Sequence, residues 1–171
     1  VPYCRLNPDA VIQSFEPQPE MFELLSLNVV NNKPVTDKVQ LFNMALGDKH
    51  GTAEMQAGTF GGSAHLGKGG HPVNCTTLDA LNPKGCDYMK IDVEGYEPLV
   101  VAGATQTIKK FRPFIVFEDN GSSKDNGITD LDIHQMLRDL EYQIHELVYD
   151  NYLAVPLVKS KFKNCSGIVK A

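Results

Sequence analysis

The sequence predicts an α/β sandwich with a mainly parallel sheet and an antiparallel edge. Short apolar runs of strand length alternate with longer stretches whose apolar residues recur at helical spacing. This alternation is typical of a sheet covered by helices, because parallel strands need a long crossover connection that is usually a helix. The last two apolar runs, residues 142–148 and 151–158, are joined only by Tyr149 and Asp150, which predicts a hairpin at the sheet edge.

The chain begins with a predicted strand, a helix and a second strand. Residues 10–15 form a short apolar run that stops before Pro17 and Pro19, since proline breaks regular structure. Residues 20–31 carry apolar side chains at helical spacing. Residues 39–46 are the next apolar run, and the length of the crossover favours parallel pairing with the first strand.

Two further strands are predicted at residues 52–56 and 73–78. Residues 57–72 lie between them and hold six of the chain's 14 glycines, which predicts a flexible loop. His65 and His71 fall in this loop. This composition is compatible with a lid over a bound substrate and equally with an ordinary solvent-exposed loop.

The second half of the chain repeats the strand and helix step. Residues 87–92 are strand-like and end in an acid, and a helix is expected over residues 98–110. Residues 114–117 form an uninterrupted β-rich run, which predicts a strand buried on both faces. A helix over residues 129–141, with Thr129 as its N-cap, precedes the final hairpin.

Length, charge and cysteine spacing restrict the class of protein. With 171 residues, 42% of them hydrophobic, the chain is predicted to form one domain over residues 1–171. A net charge of −5 with scattered Lys and Arg provides no basic face for nucleic acid. No apolar run reaches the roughly 20 residues that span a bilayer. The four cysteines lack zinc-site spacing, which predicts reduced thiols in a cytoplasmic protein.

Acidic residues end three of the predicted strands: Glu16, Asp92 and Glu118. In open α/β sheets ligands bind beyond the carboxyl ends of the strands, so these acids are expected on one rim. A carboxylate in that place can accept hydrogen bonds from both hydroxyls of a ribose. Glu16 is the candidate for this role.

Several blocks of the sequence together resemble the FkbM methyltransferase family. The blocks are residues 14–19, Asn28, residues 43–48, residues 77–79, residues 89–97, Gly103 with Ala104, and Arg112 and Pro113 followed by Glu118. The resemblance covers roughly residues 10–156, and Lys-Ile-Asp-Val-Glu-Gly-Tyr-Glu is its most specific block. It implies a Rossmann-like class I methyltransferase fold, a three-layer sandwich. Such a domain binds S-adenosylmethionine and transfers the methyl group to an oxygen, commonly on a sugar or glycan.

The resemblance also implies the positions of the cofactor-binding residues. Glu16, preceded by Phe15, would hold the ribose hydroxyls of S-adenosylmethionine. Asn43, Ala45 and Leu46 would lie beside the adenine. The expected partners are therefore the cofactor and a small-molecule or glycan acceptor.

By the same resemblance, Asp92, Glu94 and Glu118 are the predicted catalytic residues. Asp92 would face the methionine end of the cofactor or the acceptor, and Glu94 and Glu118 would shape the acceptor pocket. The base that removes the hydroxyl proton stays open among these acids, His65 and His71. Acids on one rim are also compatible with Mg²⁺, although no spacing in the sequence is diagnostic of a metal site.

Plainer interpretations exist for each of these acids. Glu16 is also explained as a carboxylate that favours the start of a helix, and Asp92 and Glu94 as residues that cap the helix after them. Glu118 is also explained by a pairing with a buried cation. The residues predicted to have only a structural role are Glu97, His134 and His145.

The start of the sequence departs from the family pattern. Family members normally open with a strand and a D-x-G-A-N-x-G-like loop, which have no counterpart before residue 10. We therefore expect an N-terminal segment or a neighbouring domain that supplies them. Two other functions stay open, a non-catalytic binding module that keeps the fold and a nicotinamide-dependent enzyme. The absence of G-x-G-x-x-G disfavours the second.

Overall fold

The structure, a computed structural model, describes residues 10–32, 36–56, 65–66 and 70–157. Within these residues it contains ten strands, five α-helices and one 3-10 turn at Thr36–Lys38. The strands are β1 (Ile12–Phe15), β2 (Val39–Phe42), β3 (Ala45–Leu46), β4 (Gly51–Gln56), β5 (His65–Leu66), β6 (His71–Thr76), β7 (Tyr88–Ile91), β8 (Phe114–Glu118), β9 (Tyr142–Glu146) and β10 (Asn151–Pro156). The helices are α1 (Pro19–Val30), α2 (Glu97–Ala102), α3 (Thr105–Phe111), α4 (Ser122–Asp125) and α5 (Ile133–Asp139). The predictions for Cys4, Cys165 and most of the glycine-rich loop lie outside the described residues.

The described strands form three sheets. One pairs β1 with β2, a second has the order β7-β8-β10-β9, and a third has the order β3-β6-β4-β5. The pairs β1–β2, β3–β6 and β7–β8 are parallel, and the other four pairs are antiparallel. The α/β class is therefore as predicted, but the sheets are mixed and not mainly parallel. The sequence between β4 and β6 has no helical pattern, and these two strands pair antiparallel.

The predicted hairpin is confirmed. β9 and β10 pair in antiparallel register from Tyr152 with Glu146 to Pro156 with Tyr142, and β9 lies at the sheet edge. The connecting residues Tyr149 and Asp150 have φ angles of 51° and 57°. Two successive left-handed residues match the right-handed twist of the strands, which is why such turns favour hairpins.

The helix predicted over residues 98–110 is divided into α2 and α3 at Gly103. A Cβ atom on Gly103 would collide with the backbone oxygen of Gly47, so the chain passes too close there for a side chain. The Asp79 carboxylate then accepts hydrogen bonds from the backbone N–H groups of Gln106 (2.8 Å) and Thr107 (2.7 Å). These bonds cap α3 and fix the break.

The start of α5 was also predicted incorrectly. Thr129 is not the N-cap; α5 begins at Ile133, and the Asp132 carboxylate caps it by accepting from Gln135 N–H at 3.1 Å. Asp and Thr are both good caps, and propensity alone does not choose between two candidates three residues apart. α1 begins at Pro19, as its proline in the first turn indicates.

The main core lies between one face of the β7-β8-β10-β9 sheet and its helices. Ile115 and Phe117 of β8 are fully buried beside Val101, Ile108 and Leu137. The other face of β8 carries half-buried side chains, so the prediction that this strand is buried on both faces is wrong. A smaller cluster in the third sheet consists of Ala45, Val73 and Cys75. No helix within the described residues is long and apolar enough to cross a membrane.

Candidate active site

The carboxyl ends of β1 and β2 bring three predicted cofactor residues together. Phe15 and Phe42 pair in register, and their rings stack with 4.8 Å between centroids. Glu16 N–H donates to the oxygen of Phe42 at 3.0 Å. The Asn43 side-chain amide donates to the backbone oxygens of Glu16 (2.8 Å) and Pro17 (3.2 Å). Asn43 thus ties the end of β2 to the chain that leaves β1.

The Glu16 carboxyl group is half-buried at the start of α1. Its Oε1 accepts a hydrogen bond from the backbone N–H of Gln18 at 2.8 Å. This contact fits the helix-start role and also fixes the direction of the carboxyl group. Within the described part of the chain, no hydrogen bond is made by Oε2.

The other two predicted adenine residues lie further into the protein. Ala45 is 5% exposed and belongs to the small cluster around Val73 and Cys75. Leu46 is half-buried and packs against the main core. Any contact between adenine and Ala45 would therefore use the backbone of the turn that follows β2, because the Ala45 side chain is enclosed.

The three predicted catalytic acids meet at the carboxyl ends of β7 and β8. Ile91 pairs with Phe117 in parallel register, so Asp92 and Glu118 follow at neighbouring positions on the same face. Asp92 acts on the Glu118 carboxyl group, since both hydrogen bonding with Asp92 and the charge of Asp92 raise the pKa of Glu118. Glu94 lies near enough for its charge to act on Glu118. Distant parts of the sequence are thus brought to one site.

The surroundings of Glu118 raise its pKa. Partial burial is the main cause, followed by the hydrogen bond with Asp92 and by the negative charges of Asp92 and Glu94, while Lys90 acts in the opposite direction. Lys90 Nζ forms an ion pair with Asp92 Oδ2 at 2.9 Å. No ion pair between Glu118 and a buried cation is present among the described residues. Acids that disfavour each other's charge are suited to hold and release a proton.

The predicted histidine bases lie elsewhere. His71 is an exposed residue of β6 in the third sheet, and His65 belongs to β5 of that sheet, whereas the acids end strands of the second sheet. His134, predicted as scaffold, forms a 3.0 Å contact between its Nε2 and Asp119 Oδ2. Its ring packs edge-on against Phe117 and Tyr152, so His134 anchors α5 to the end of β8.

Glu97 was predicted to have only a structural role, and its burial was not predicted from the sequence. It is only 4% exposed, and its Oε1 accepts the backbone N–H of Val93 at 2.9 Å. Burial raises its pKa, and hydrogen bonds from backbone N–H groups lower it in part. The sequence did contain one indication of this role. Glu97 is an acid in the first turn of a helix, and such an acid can accept a hydrogen bond from a backbone N–H group that precedes the helix.

No group of three or more His, Cys, Asp or Glu side chains within the described ranges is placed to hold a metal ion. This applies to the acids at the ends of β7 and β8. Mg²⁺, which the sequence left open, has no ligand set among the residues that the structure describes.

Comparison with known proteins identifies one family. A family model described as the methyltransferase FkbM domain matches residues 3–144. The fold is similar to the crystal structure of a methyltransferase FkbM from Methylobacillus flagellatus KT, with a TM-score of 0.64 and 14% identity over 89% of this chain. The chain spans 38% of the length of that protein. No protein of curated function matches the sequence significantly.

Proposed function

The chain belongs to the FkbM methyltransferase family, and on that premise we propose that it forms part of an S-adenosylmethionine-dependent O-methyltransferase. The acceptor in this proposal is a hydroxyl group of a sugar or glycan. The observation that carries the proposal is the neighbouring position of Asp92 and Glu118, directly after the paired ends of two adjacent parallel strands. Ligands of open α/β sheets bind at that rim.

The acid group suits the proton transfer that a hydroxyl acceptor requires. S-adenosylmethionine supplies a methyl group already activated by its sulfonium. A neutral alcohol is a weak nucleophile, and a positioned base typically contributes about 10²- to 10⁴-fold to the rate. Glu118 takes the hydroxyl proton in this proposal, because its raised pKa makes it a stronger base than an ordinary carboxylate. Asp92, held by Lys90, orients the acceptor.

The cofactor fits the end of β1. Glu16 Oε2 is the oxygen offered to the ribose hydroxyls, while Oε1 is held by Gln18 N–H. The stacked rings of Phe15 and Phe42 hold the ends of β1 and β2 in place behind it. The turn at Asn43 provides backbone atoms for the adenine.

The family's N-terminal strand fits between two of the observed sheets. Both β1 and β7 stand at the end of their sheets, and Phe15 packs against the core beneath β7 and β8. A parallel strand between β1 and β7 would join the order β2-β1 to β7-β8-β10-β9. We propose that an N-terminal segment of the protein supplies this strand, which would complete the Rossmann-like sheet.

Methyl transfer tests the proposal directly. The full-length protein is incubated with S-adenosylmethionine labelled in its methyl group and a panel of mono- and oligosaccharides. We expect label in a sugar ether and a loss of about 10²-fold or more in Glu118→Gln. Glu146→Gln, at the exposed end of β9, is the matched control and should retain activity. Cofactor binding without transfer to any acceptor would favour the non-catalytic binding module.

Cysteine chemistry supports a reducing compartment such as the cytoplasm. Cys75 and Cys86 are both free thiols. Burial, followed by the charge of Asp87, raises the pKa of the Cys86 thiol to about 11, so this thiol is protonated and unreactive. We include the cytoplasm in the proposal on this basis.

A further inference from the structure

The loop between β7 and α2 has an unusual backbone. Glu94 has a φ angle of 53° and Gly95 has a φ angle of 94°. Residues other than glycine rarely adopt a positive φ angle, so neighbouring groups must hold Glu94 in this backbone conformation. Because Asp92 and Glu94 both belong to this loop, its shape decides where two of the three acids point.

The buried side of the loop is held by Glu97. Its Oε1 accepts a hydrogen bond from the backbone N–H of Val93 at 2.9 Å. Hydrogen bonding from the backbone of Val93, Glu97 and Gly95 lowers the pKa of Glu97 in part, against the effect of burial. A buried carboxylate is costly unless hydrogen bonds compensate it, and here the compensating donors are those of the acid loop.

The other side of the loop is held by Asn126. Its Nδ2 donates to the backbone oxygen of Glu94 at 2.9 Å. A Cβ atom on Gly95 would come within 2.5 Å of this nitrogen and within 2.7 Å of the backbone carbon of Ser122. The loop therefore lies directly against the segment that follows β8, with no room between them.

We propose that Glu97 and Asn126 are positioning residues that hold the loop in the shape that places Asp92 and Glu94 beside Glu118. Glu97 acts from the core and Asn126 from the segment after β8. Residues 120–127 and the acid loop consequently form one unit, and a shift in that segment changes the acid group. The functional meaning rests on the proposed methyl transfer, in which these acids face the acceptor.

The test follows the titration of the Glu118 carboxyl group by NMR in the isotope-labelled full-length protein without ligand. Glu97→Gln keeps the side-chain size but replaces one oxygen with an amide donor, which would face a backbone N–H. Asn126→Ala releases Glu94 from the other side. We expect the titration midpoint of Glu118 to fall towards the ordinary glutamate value in both variants, because its acidic neighbours move away.

Two control variants and a measurement of thermal stability accompany the titration. Asp92→Asn should lower the midpoint directly, and Glu20→Gln, an exposed acid of α1, should leave it unchanged. An unchanged midpoint in folded Glu97→Gln, or in Asp92→Asn, would overturn the inference even if thermal stability falls. If Glu97→Gln does not fold, the titration midpoint of Glu118 is measured in Asn126→Ala instead, and an unchanged midpoint in that variant would also overturn the inference. The titration needs neither cofactor nor acceptor, so failure of the proposed methyl transfer would be seen separately.

Discussion

At the residue scale, the acids at the ends of β7 and β8 derive their properties from one another. Lys90 forms an ion pair with Asp92, and its charge also acts on Glu118 and lowers the pKa of that carboxyl group in part. Burial, followed by its acidic neighbours Asp92 and Glu94, raises the pKa of Glu118.

Glu118 should make the stability of the protein depend on pH. Its pKa in the folded protein is raised above the ordinary 4.5, so the folded state binds the proton more tightly than the unfolded chain. Stability is then lost as the pH rises from below 4.5 through the raised value. Glu118→Gln removes this loss, and we expect a melting temperature about 1–2 °C above wild type at pH 7 but no gain at pH 3–4.

Thermal unfolding followed by circular dichroism at the two pH values measures this effect. Glu146→Gln serves as the control for the removal of one surface charge. An equal difference between Glu118→Gln and wild type at both pH values would show that the acids are not coupled.

The sequence was sufficient to find the acids but not the residues that arrange them. Glu16, Asp92 and Glu118 were predicted because they end apolar runs, and strand ends share a rim in any parallel sheet. Glu97 was assigned only a helix-start role. Its function depends on the backbone of residues 93–95, whose left-handed turn and contact with Asn126 involve a segment about 30 residues further along the chain.

At the element scale, α3 depends on a cap that comes from a distant residue. Asp79 follows β6 and accepts hydrogen bonds from two N–H groups in the first turn of α3, those of Gln106 and Thr107. Asp79 N–H also donates to the oxygen of Gly103 at 3.0 Å. The segment after β6 and the break between α2 and α3 therefore support each other.

Asp79→Ala should destabilise the protein by about 1–2 kcal/mol, since loss of an N-cap carboxylate leaves two helix N–H groups without their partner. The free energy of unfolding is measured by urea denaturation, and the comparison is valid when the two variants and the wild type have the same dependence on urea concentration (the m value). Asp125→Ala, an exposed acid in α4, should change the free energy of unfolding by less than about 0.5 kcal/mol. Equal effects of the two substitutions would contradict the assignment of the cap.

Elements whose bounds depend on nearby residues were predicted well, and elements whose bounds depend on contacts with distant residues were not. The hairpin follows from two turn residues, Tyr149 and Asp150, and the start of α1 follows from Pro19. The break at Gly103 is set by its contact with Gly47, which no periodicity reveals. Thr129 was predicted as the cap, whereas Asp132 caps α5 in the structure, because the packing of the chain decides where α5 begins.

At the scale of the whole molecule, the composition and alternation of elements predicted an α/β fold but not its division into sheets. Parallel pairing was inferred for every strand–helix–strand step, and β1–β2 and β7–β8 confirm it. β4 pairs antiparallel with β5 and β6, and β10 pairs antiparallel with β8 and β9, so the second and third sheets are mixed. The proposed N-terminal strand would join β1 to β7.

The central claim is that Glu16 holds S-adenosylmethionine at the end of β1, and calorimetric titration of the cofactor into the full-length protein tests it most directly. We predict binding of one molecule, weakened about 10-fold or more in Glu16→Gln because a charged hydrogen bond to the ribose is lost. Glu20→Gln, four residues further along and exposed, should bind as wild type. Absence of binding by the wild-type protein, or equal affinity in Glu16→Gln, would contradict the account.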